Sequence, residues 1–260
     1  MEVKVTDKPY DLEHATLKHL TQAKPDVAIL PWGATEAHNY HLPHTSDVIQ
    51  ARDISKRAAE KAWRQGARVV VLPPVPFGNN AQQLDQVTTI HLSTSTAMMI
   101  LSDVVHSLVK QNLDRLILVN AHGGNNFKPL IRDMQSSFPV LITLVNLYEM
   151  IPELVNELFE EPGDHAGELE TSMMMYLTGN KIDLSEAGSG NRVPFKLTSF
   201  RRPGVWTPRP WRHSHPDTGS GNPEKATYEK GKRYVEGLIE ALSEVIVEIS
   251  KARKGDIPYI

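Results

Sequence analysis

Four near-continuous aliphatic runs, Val27 to Leu30, Arg68 to Leu72, Leu113 to Asn120 and Val140 to Val145, stand out along the first part of the chain. Runs of that length without polar alternation read as strands buried on both faces. Between them the apolar positions change to helical spacing. In Asp47 to Gln65, Val48, Ile49, Ile54, Ala58, Ala59 and Ala62 recur at roughly that period, and Gly66 is placed to end the helix. In Ser93 to Gln111, Met98, Leu101, Val104, Val105 and Leu108 share one face, and a third helix is expected over Phe127 to Ser137. Strand and helix in alternation predict a parallel sheet with helices on both faces, so the loops after Leu30, Leu72 and Val119 should meet along one edge. Downstream, a helix is expected from near His165 through Met173-Met174-Met175 to Gly179. A last one, from Pro223 to about Lys251, carries the stripe Val235, Leu238, Leu242, Val245, Ile246 and Ile249. The stretch from Leu184 to Pro223, rich in Gly, Pro, Arg and Ser, reads as an irregular excursion.

Composition narrows the function. At 260 residues with 40% hydrophobic content, one α/β domain spanning 1–260 is the expectation. A net charge of −3 gives no reason to expect nucleic acid or an anionic membrane as partner. There are no cysteines, which excludes disulfides, thiolate metal sites and thiol nucleophiles and leaves His, Asp and Glu as metal ligands. Met1 to Val5 lack the pattern of a signal peptide and no apolar run approaches membrane-spanning length, so a soluble cytoplasmic protein is expected.

Three blocks carry chemistry-bearing residues. After the first strand, the chain turns at Pro31 and Gly33 and then presents Glu36, His38, His41, His44 and Asp47. Strand ends that open into loops are where α/β proteins place reactive side chains. Glu36 and His38, two apart, point the same way in an extended segment and could grip one ion, and Asp47 could return to bridge. The alternative is a polar surface loop. His122-Gly123-Gly124-Asn125, after the third strand, sets an imidazole beside backbone that can approach a ligand closely. In Asp164-His165-Ala166-Gly167-Glu168-Leu169-Glu170, helical spacing puts His165 and Glu168 on one face, with Glu170 turned well away. Asp164 as N-cap and the glutamates as favourable charges at the helix start are the competing reading.

Pro31-x-Gly33-x-Thr35-Glu36-x-His38-x-x-His41-Leu42-Pro43 with Thr45-x-Asp47, Asn120-x-His122-Gly123-Gly124-Asn125, and His165-Ala166-Gly167-Glu168-x-Glu170-Thr171-Ser172 together resemble the creatininase (creatinine amidohydrolase) family. Gly219-x-Gly221-x-Pro223-x-x-Ala226-Thr227-x-x-Lys230-Gly231 extends the match. The resemblance implies a three-layer α/β/α fold around a mostly parallel sheet, two divalent metal ions per subunit, and hydrolysis of a carbon–nitrogen bond in a cyclic amide or formamide. It also implies a homohexamer. Carried over, Glu36 and His122 would hold one ion and His38 the other, with Asp47 bridging. His165 would be the catalytic histidine, with Asp164 available to orient it. Zinc is the expected metal, and the same O/N donors suit manganese or iron. Two such ions can share and acidify a water while one polarises the amide carbonyl.

This chain departs from the family's pattern in one respect that bears on the ligands. Creatininase proper has a glutamate ligand where Gly124 stands here, and Glu168 is the expected replacement, with Glu170 competing. The tryptophans that enclose creatinine have no evident counterpart, which makes creatinine an unexpected substrate. Asn125 could donate to a substrate carbonyl or simply form the turn. Trp206 and Trp211, in the 201–221 part of the excursion, could wall a pocket for a small-molecule amide or contact another subunit. A non-catalytic ligand-binding or assembly subunit of the same fold is the reading from a different class.

Overall fold

Each aliphatic run forms its strand because both of its faces find a cover. The computed structural model describes residues 8–252. In it β1 (Val27–Trp32), β2 (Val69–Val71), β3 (Arg115–Asn120) and β4 (Leu141–Asn146) make one parallel sheet in the order β2-β1-β3-β4. Alternate residues of a strand face opposite ways, and here they feed two separate cores. Val27 and Ile29 of β1 and Ile117 and Val119 of β3 pack with α2 (Ser46–Arg64), α6 (Glu168–Leu177) and α8 (Tyr228–Lys251). Ala28, Leu30, Trp32, Leu116 and Leu118 pack on the other side with α3 (Thr94–Lys110) and α4 (Lys128–Ser137). The result is the expected three-layer α/β/α arrangement.

Shorter elements fill the connections. α1 (Leu17–Ala23), missed in the sequence because it buries no side chain, is held by a capping box between Thr16 and His19. α5 (Pro152–Leu158) precedes the acidic turn into α6, and α7 (Trp211–Ser214) is a single turn inside the excursion. α8 starts at Tyr228 and not at Pro223, because the Thr227 hydroxyl accepts from the Lys230 amide and caps it there. α6 starts at Glu168 and not near His165: His165 is in extended backbone paired with Ser220, Ala166 has φ 50°, and Gly167 is the N-cap. Met1 to Val5, read as lacking a signal pattern, lie outside the described residues. No helix among the described residues is long and apolar enough to cross a membrane.

Two glycines let elements approach closely enough to build the site. A Cβ on Gly33 would lie 2.6 Å from the Val48 amide nitrogen, so only glycine lets the end of β1 abut the first turn of α2, which carries Asp47. A Cβ on Gly231 would lie 1.7 Å from the Ser172 carbonyl oxygen, so α8 crosses α6 at backbone contact. Gly231→Ala must push these helices apart. Overpacking of this kind costs about 1–3 kcal/mol, so the urea midpoint should fall with an unchanged slope, and an unaltered midpoint would show that the crossing has slack.

Candidate metal centre

The carboxyl ends of β1 and β3 and the first turns of α2 and α6 converge on one buried point. After β1 the Glu36 amide donates to the His44 carbonyl, and the chain folds back on itself through a His38–Leu42 bridge with Asn39 at φ 54°. Asparagine tolerates that left-handed conformation. After β3 the Asn120 side chain braces the turn, donating from Nδ2 to the His122 carbonyl and accepting at Oδ1 from the His122 amide. Gly124 is required beside it: a Cβ there would lie 2.4 Å from both the Asn79 carbonyl oxygen and His122 Nε2.

Asp47 stands at the centre. Its Oδ1 is 3.0 Å from His38 Nε2 and its Oδ2 is 3.1 Å from His122 Nδ1. Glu36 Oε1 lies 3.0 Å from His122 Nδ1 and 3.7 Å from His165 Nδ1. Glu170 Oε1 lies 3.5 Å from His38 Nε2. The ligand atoms of Glu36, Asp47 and His122 form one candidate metal-binding group and those of His38, Asp47 and Glu170 another, each within 4.8 Å of one another, and Asp47 belongs to both.

The outward nitrogens of the three imidazoles say what the inward ones must do. His38 Nδ1 is 2.9 Å from the Glu36 carbonyl oxygen, His122 Nε2 is 3.1 Å from that of Asn79, and His165 Nε2 is 2.8 Å from that of Ala37. A carbonyl only accepts, so each outward nitrogen carries a proton. A neutral ring then aims its remaining lone pair at carboxylate oxygens, which is repulsive unless a proton or a metal cation lies between. Histidines that bind a metal are commonly anchored in this way, through the second ring nitrogen on a backbone carbonyl or a carboxylate.

The electrostatics agree. Burial raises the Glu36 carboxyl, but the imidazoles of His122, His165 and His38 outweigh it and hold the group down at about 2. Burial likewise opposes ionisation of Glu170, which the His38 and His165 rings and the Ala166 amide hold well below the usual carboxylate range. Burial lowers His38 and His122, yet Asp47 and Glu170 beside the first and Glu36 and Asp47 beside the second raise both well above the ordinary imidazole value. His41, by contrast, is pushed down to about 4, chiefly by burial, and its Nε2 sits 2.8 Å from the Thr171 hydroxyl.

Glu168 is the main correction to the expected set. It is fully buried but away from the cluster: one oxygen pairs with Lys230 Nζ, and the other accepts from the Glu160 and Glu161 amides at 3.0 and 2.9 Å. Glu170 stands beside His38 instead. Helical counting from His165 failed because His165, Ala166 and Gly167 lie outside the helix, so the phase of α6 is set by Gly167. Asp164 neither orients His165 nor caps α6; its Oδ2 pairs with Arg209 Nη1 at 2.7 Å. Asn125 braces the loop, donating to Asn120 Oδ1 and accepting from the Asn79 amide, while also lining the cleft described below.

Three residues not singled out in the sequence support the carboxylates. Gln83 Nε2 donates to Glu36 Oε2 at 2.7 Å, and Gln50 Nε2 donates to Glu170 Oε1 at 2.8 Å. The Tyr148 hydroxyl lies 2.5 Å from Gln50 Oε1 and 3.1 Å from Glu170 Oε1.

A cleft of about 800 Å³ reaches the cluster at His122 and is lined also by Tyr148, Trp206, Arg209 and Trp211. The excursion that supplies this wall is clamped to the site loop at both ends. Asn39 exchanges side-chain hydrogen bonds with the Gly188 backbone, and its amide donates to the Thr218 hydroxyl. Trp211, expected to be exposed, is only 3% so; it stacks on His215 at 4.1 Å and meets His165 edge-on at 4.9 Å. Trp206 is 83% exposed.

A parallel α/β/α domain with buried His and carboxylate side chains gathered at the strand ends matches known proteins over nearly its whole length. The model of the creatininase family, described as creatinine amidohydrolase, matches residues 11–246, and the chain belongs to that family. It is 26% identical to creatinine amidohydrolase of Pseudomonas putida over 242 residues, covering 85% of this chain and 89% of that one. It is 24% identical to a mycofactocin precursor peptide peptidase of Mycolicibacterium smegmatis over 251 residues, covering 95% and 94%. A crystal structure from Bacteroides fragilis NCTC 9343, provisionally named a creatinine amidohydrolase, superposes with TM-score 0.89 at 42% identity over 96% of this chain and 100% of that one.

Two outcomes follow from these contacts. Lys230→Met leaves Glu168 buried without its cation and should cost about 3 kcal/mol of stability in chemical denaturation. A loss below about 0.5 kcal/mol, the scale of an exposed pair, would show that Glu168 does not depend on Lys230. For the metal-free protein the pH dependence has a definite sign. The raised His38 and His122 contribute stability that is complete below the unfolded imidazole value and is lost as pH rises through their folded values. Glu36 contributes stability lost only as pH falls toward about 2. After chelator treatment the unfolding midpoint should therefore decline as pH rises above the ordinary imidazole range, and a rise there would contradict the pairing.

Proposed function

We propose that this chain is a metal-dependent hydrolase of carbon–nitrogen bonds, acting on a cyclic amide or formamide with two divalent cations bound through a shared Asp47. The observation that carries the reading is the orientation of His38 and His122, whose outer nitrogens are spent on backbone carbonyls while the inner ones face carboxylates. Asp47 Oδ2, buried and without a hydrogen-bond donor, fits the same requirement for a cation. Glu36, Asp47 and His122 would hold one ion, and His38, Asp47 and Glu170 the other. Hard and borderline divalent ions such as zinc, manganese or iron suit these donors. When bound, such ions supply Lewis-acid polarisation of the amide carbonyl and a water of lowered pKa.

The chain's own residues supply the rest. Gln83 and Gln50 hold Glu36 and Glu170 in place, so the ligand oxygens are fixed before substrate arrives. His165, fixed through Nε2 on Ala37, keeps Nδ1 available to take a proton from the attacking water and pass it to the departing nitrogen. Trp211 packs against the other edge of that ring and excludes water from it, and Asn125 and Trp206 line the approach. A cleft of about 800 Å³ is large for a compact cyclic ureide such as creatinine. That size, together with the peptidase among the relatives, favours as a second reading an extended amide, a short peptide included. A homohexameric, cytoplasmic enzyme remains part of the proposal on the family resemblance.

Metal analysis with a hydrolysis screen of formamides, lactams, cyclic ureides and short peptides tests this reading. The wild type should carry about two divalent ions per chain, and Asp47→Ala should lose most of that metal and all activity. His165→Ala should keep its metal and lose about 10²–10⁴-fold in kcat. Wild-type metal content in Asp47→Ala, or a metal-loaded protein inert toward the whole screen, would favour a ligand-binding or assembly subunit instead.

A further inference from the structure

The excursion that walls the cleft has an unusual charge pattern. Arg192, Lys196, Arg201, Arg202, Arg209 and Arg212 fall within it, and no Asp or Glu occurs from Ala187 to Pro216, in a chain of net charge −3. Asp164 is the carboxylate that reaches it, shared by Arg209 at 2.7 Å and Arg192 at 3.8 Å, so the pairing leaves an uncancelled positive charge. Arg209 is held in place for another task. Its guanidinium lies over the Trp211 ring at 4.9 Å and spends one hydrogen bond, from Nη1, on Asp164. The other N–H groups of its fork have no partner among the described residues, and Arg209 lines the cleft. Beside it the Trp211 indole N–H is buried with no acceptor. Lys128, also on the cleft wall at the start of α4, forms no ion pair among the described residues. Glu149 is the opposing charge on that wall, and it accepts from Asn146 Nδ2 at 2.9 Å.

An arginine immobilised on an aromatic face, with a second cation lining the same cleft, makes a receptor for a planar anionic acceptor. We infer that the substrate is an amide that also carries a carboxylate, and that Arg209 binds that carboxylate while the amide lies at the cluster. This rests on the amide-hydrolase reading and narrows its substrate class. Arg209 is thereby a specificity-determining residue, and the remaining donors of its fork receive the acceptor that they lack.

The test compares N-acetylphenylalanine with its primary carboxamide, which differ only in the charge of one group. Binding of each to the metal-loaded protein is measured by calorimetry, and turnover is followed separately. The wild type should bind the carboxylate about tenfold or more tightly, the scale of a charge-assisted hydrogen bond. Arg209→Gln should bring the two within about twofold at unchanged metal content, and Arg209→Lys should keep part of the preference. A carboxylate held by the metals instead would keep its preference in Arg209→Gln, and that result overturns the inference. Equal binding of the pair by the wild type, or no binding of either, overturns it as well. Should Arg209→Gln fail to fold, the wild-type preference must shrink with added salt, and a salt-independent preference sinks the idea. Turnover is not required for any of these readouts, so failure of the hydrolase reading shows separately as binding without hydrolysis.

Discussion

A buried aspartate between two imidazoles is the constraint on which this structure depends. Asp47 is buried, and one of its oxygens faces His38 and the other His122. Burying an ionised carboxylate is tolerable only when charge of the opposite sign is close, so the groups around it are not free to move independently. The rest of the local architecture meets that requirement. Gly33 lets α2 dock against the end of β1, the bracing by Asn120 points His122 inward, and the left-handed turn at Asn39 sends His38 back toward the helix.

The scaffold is rigid where the site needs it to be. β1 and β3 pair along six residues at the centre of the sheet, with cores on both sides, so the loops bearing Glu36 and His122 start from fixed points. α6 is fixed from behind by the backbone contact at Gly231 and by the Glu168–Lys230 pair, and it delivers Glu170 from its first turn. Glu168 and Glu170 thus divide the work of one helix start: the first ties α6 to α8 and the second faces the cluster. Two buried glutamates so close in sequence keep separate partners because α6 turns them to different sides.

The excursion adds a wall to this scaffold without being part of it. Its ends, at Gly188 and Thr218, are clasped by Asn39, which makes a Pro- and Gly-rich stretch an ordered rim, and its buried Trp211 stacks on His215 and meets His165 edge-on. Family membership accounts for the cluster and the sheet. The composition of this wall is where the chain can set its own substrate.

Strand positions and layer order were legible in the residues themselves, since aliphatic runs and helical spacing are local signals, while the clustering of the three blocks, two of which sit directly after strands, was expected on the family resemblance. β1, β3, α2 and α3 lie within a few residues of where periodicity puts them. Glu36, His38, Asp47, His122 and His165 meet as the three blocks suggested. Tertiary structure decided what spacing could not. It alone put Glu170, not Glu168, beside His38, because His165, Ala166 and Gly167 lie outside α6. It alone gave Asp164 to Arg209, buried Trp211, and recruited Gln50, Gln83 and Tyr148, whose partners lie 22 to 120 residues away. A sequence pattern reports which way a side chain points within its own element, whereas the identity of its partner is set by how the elements dock.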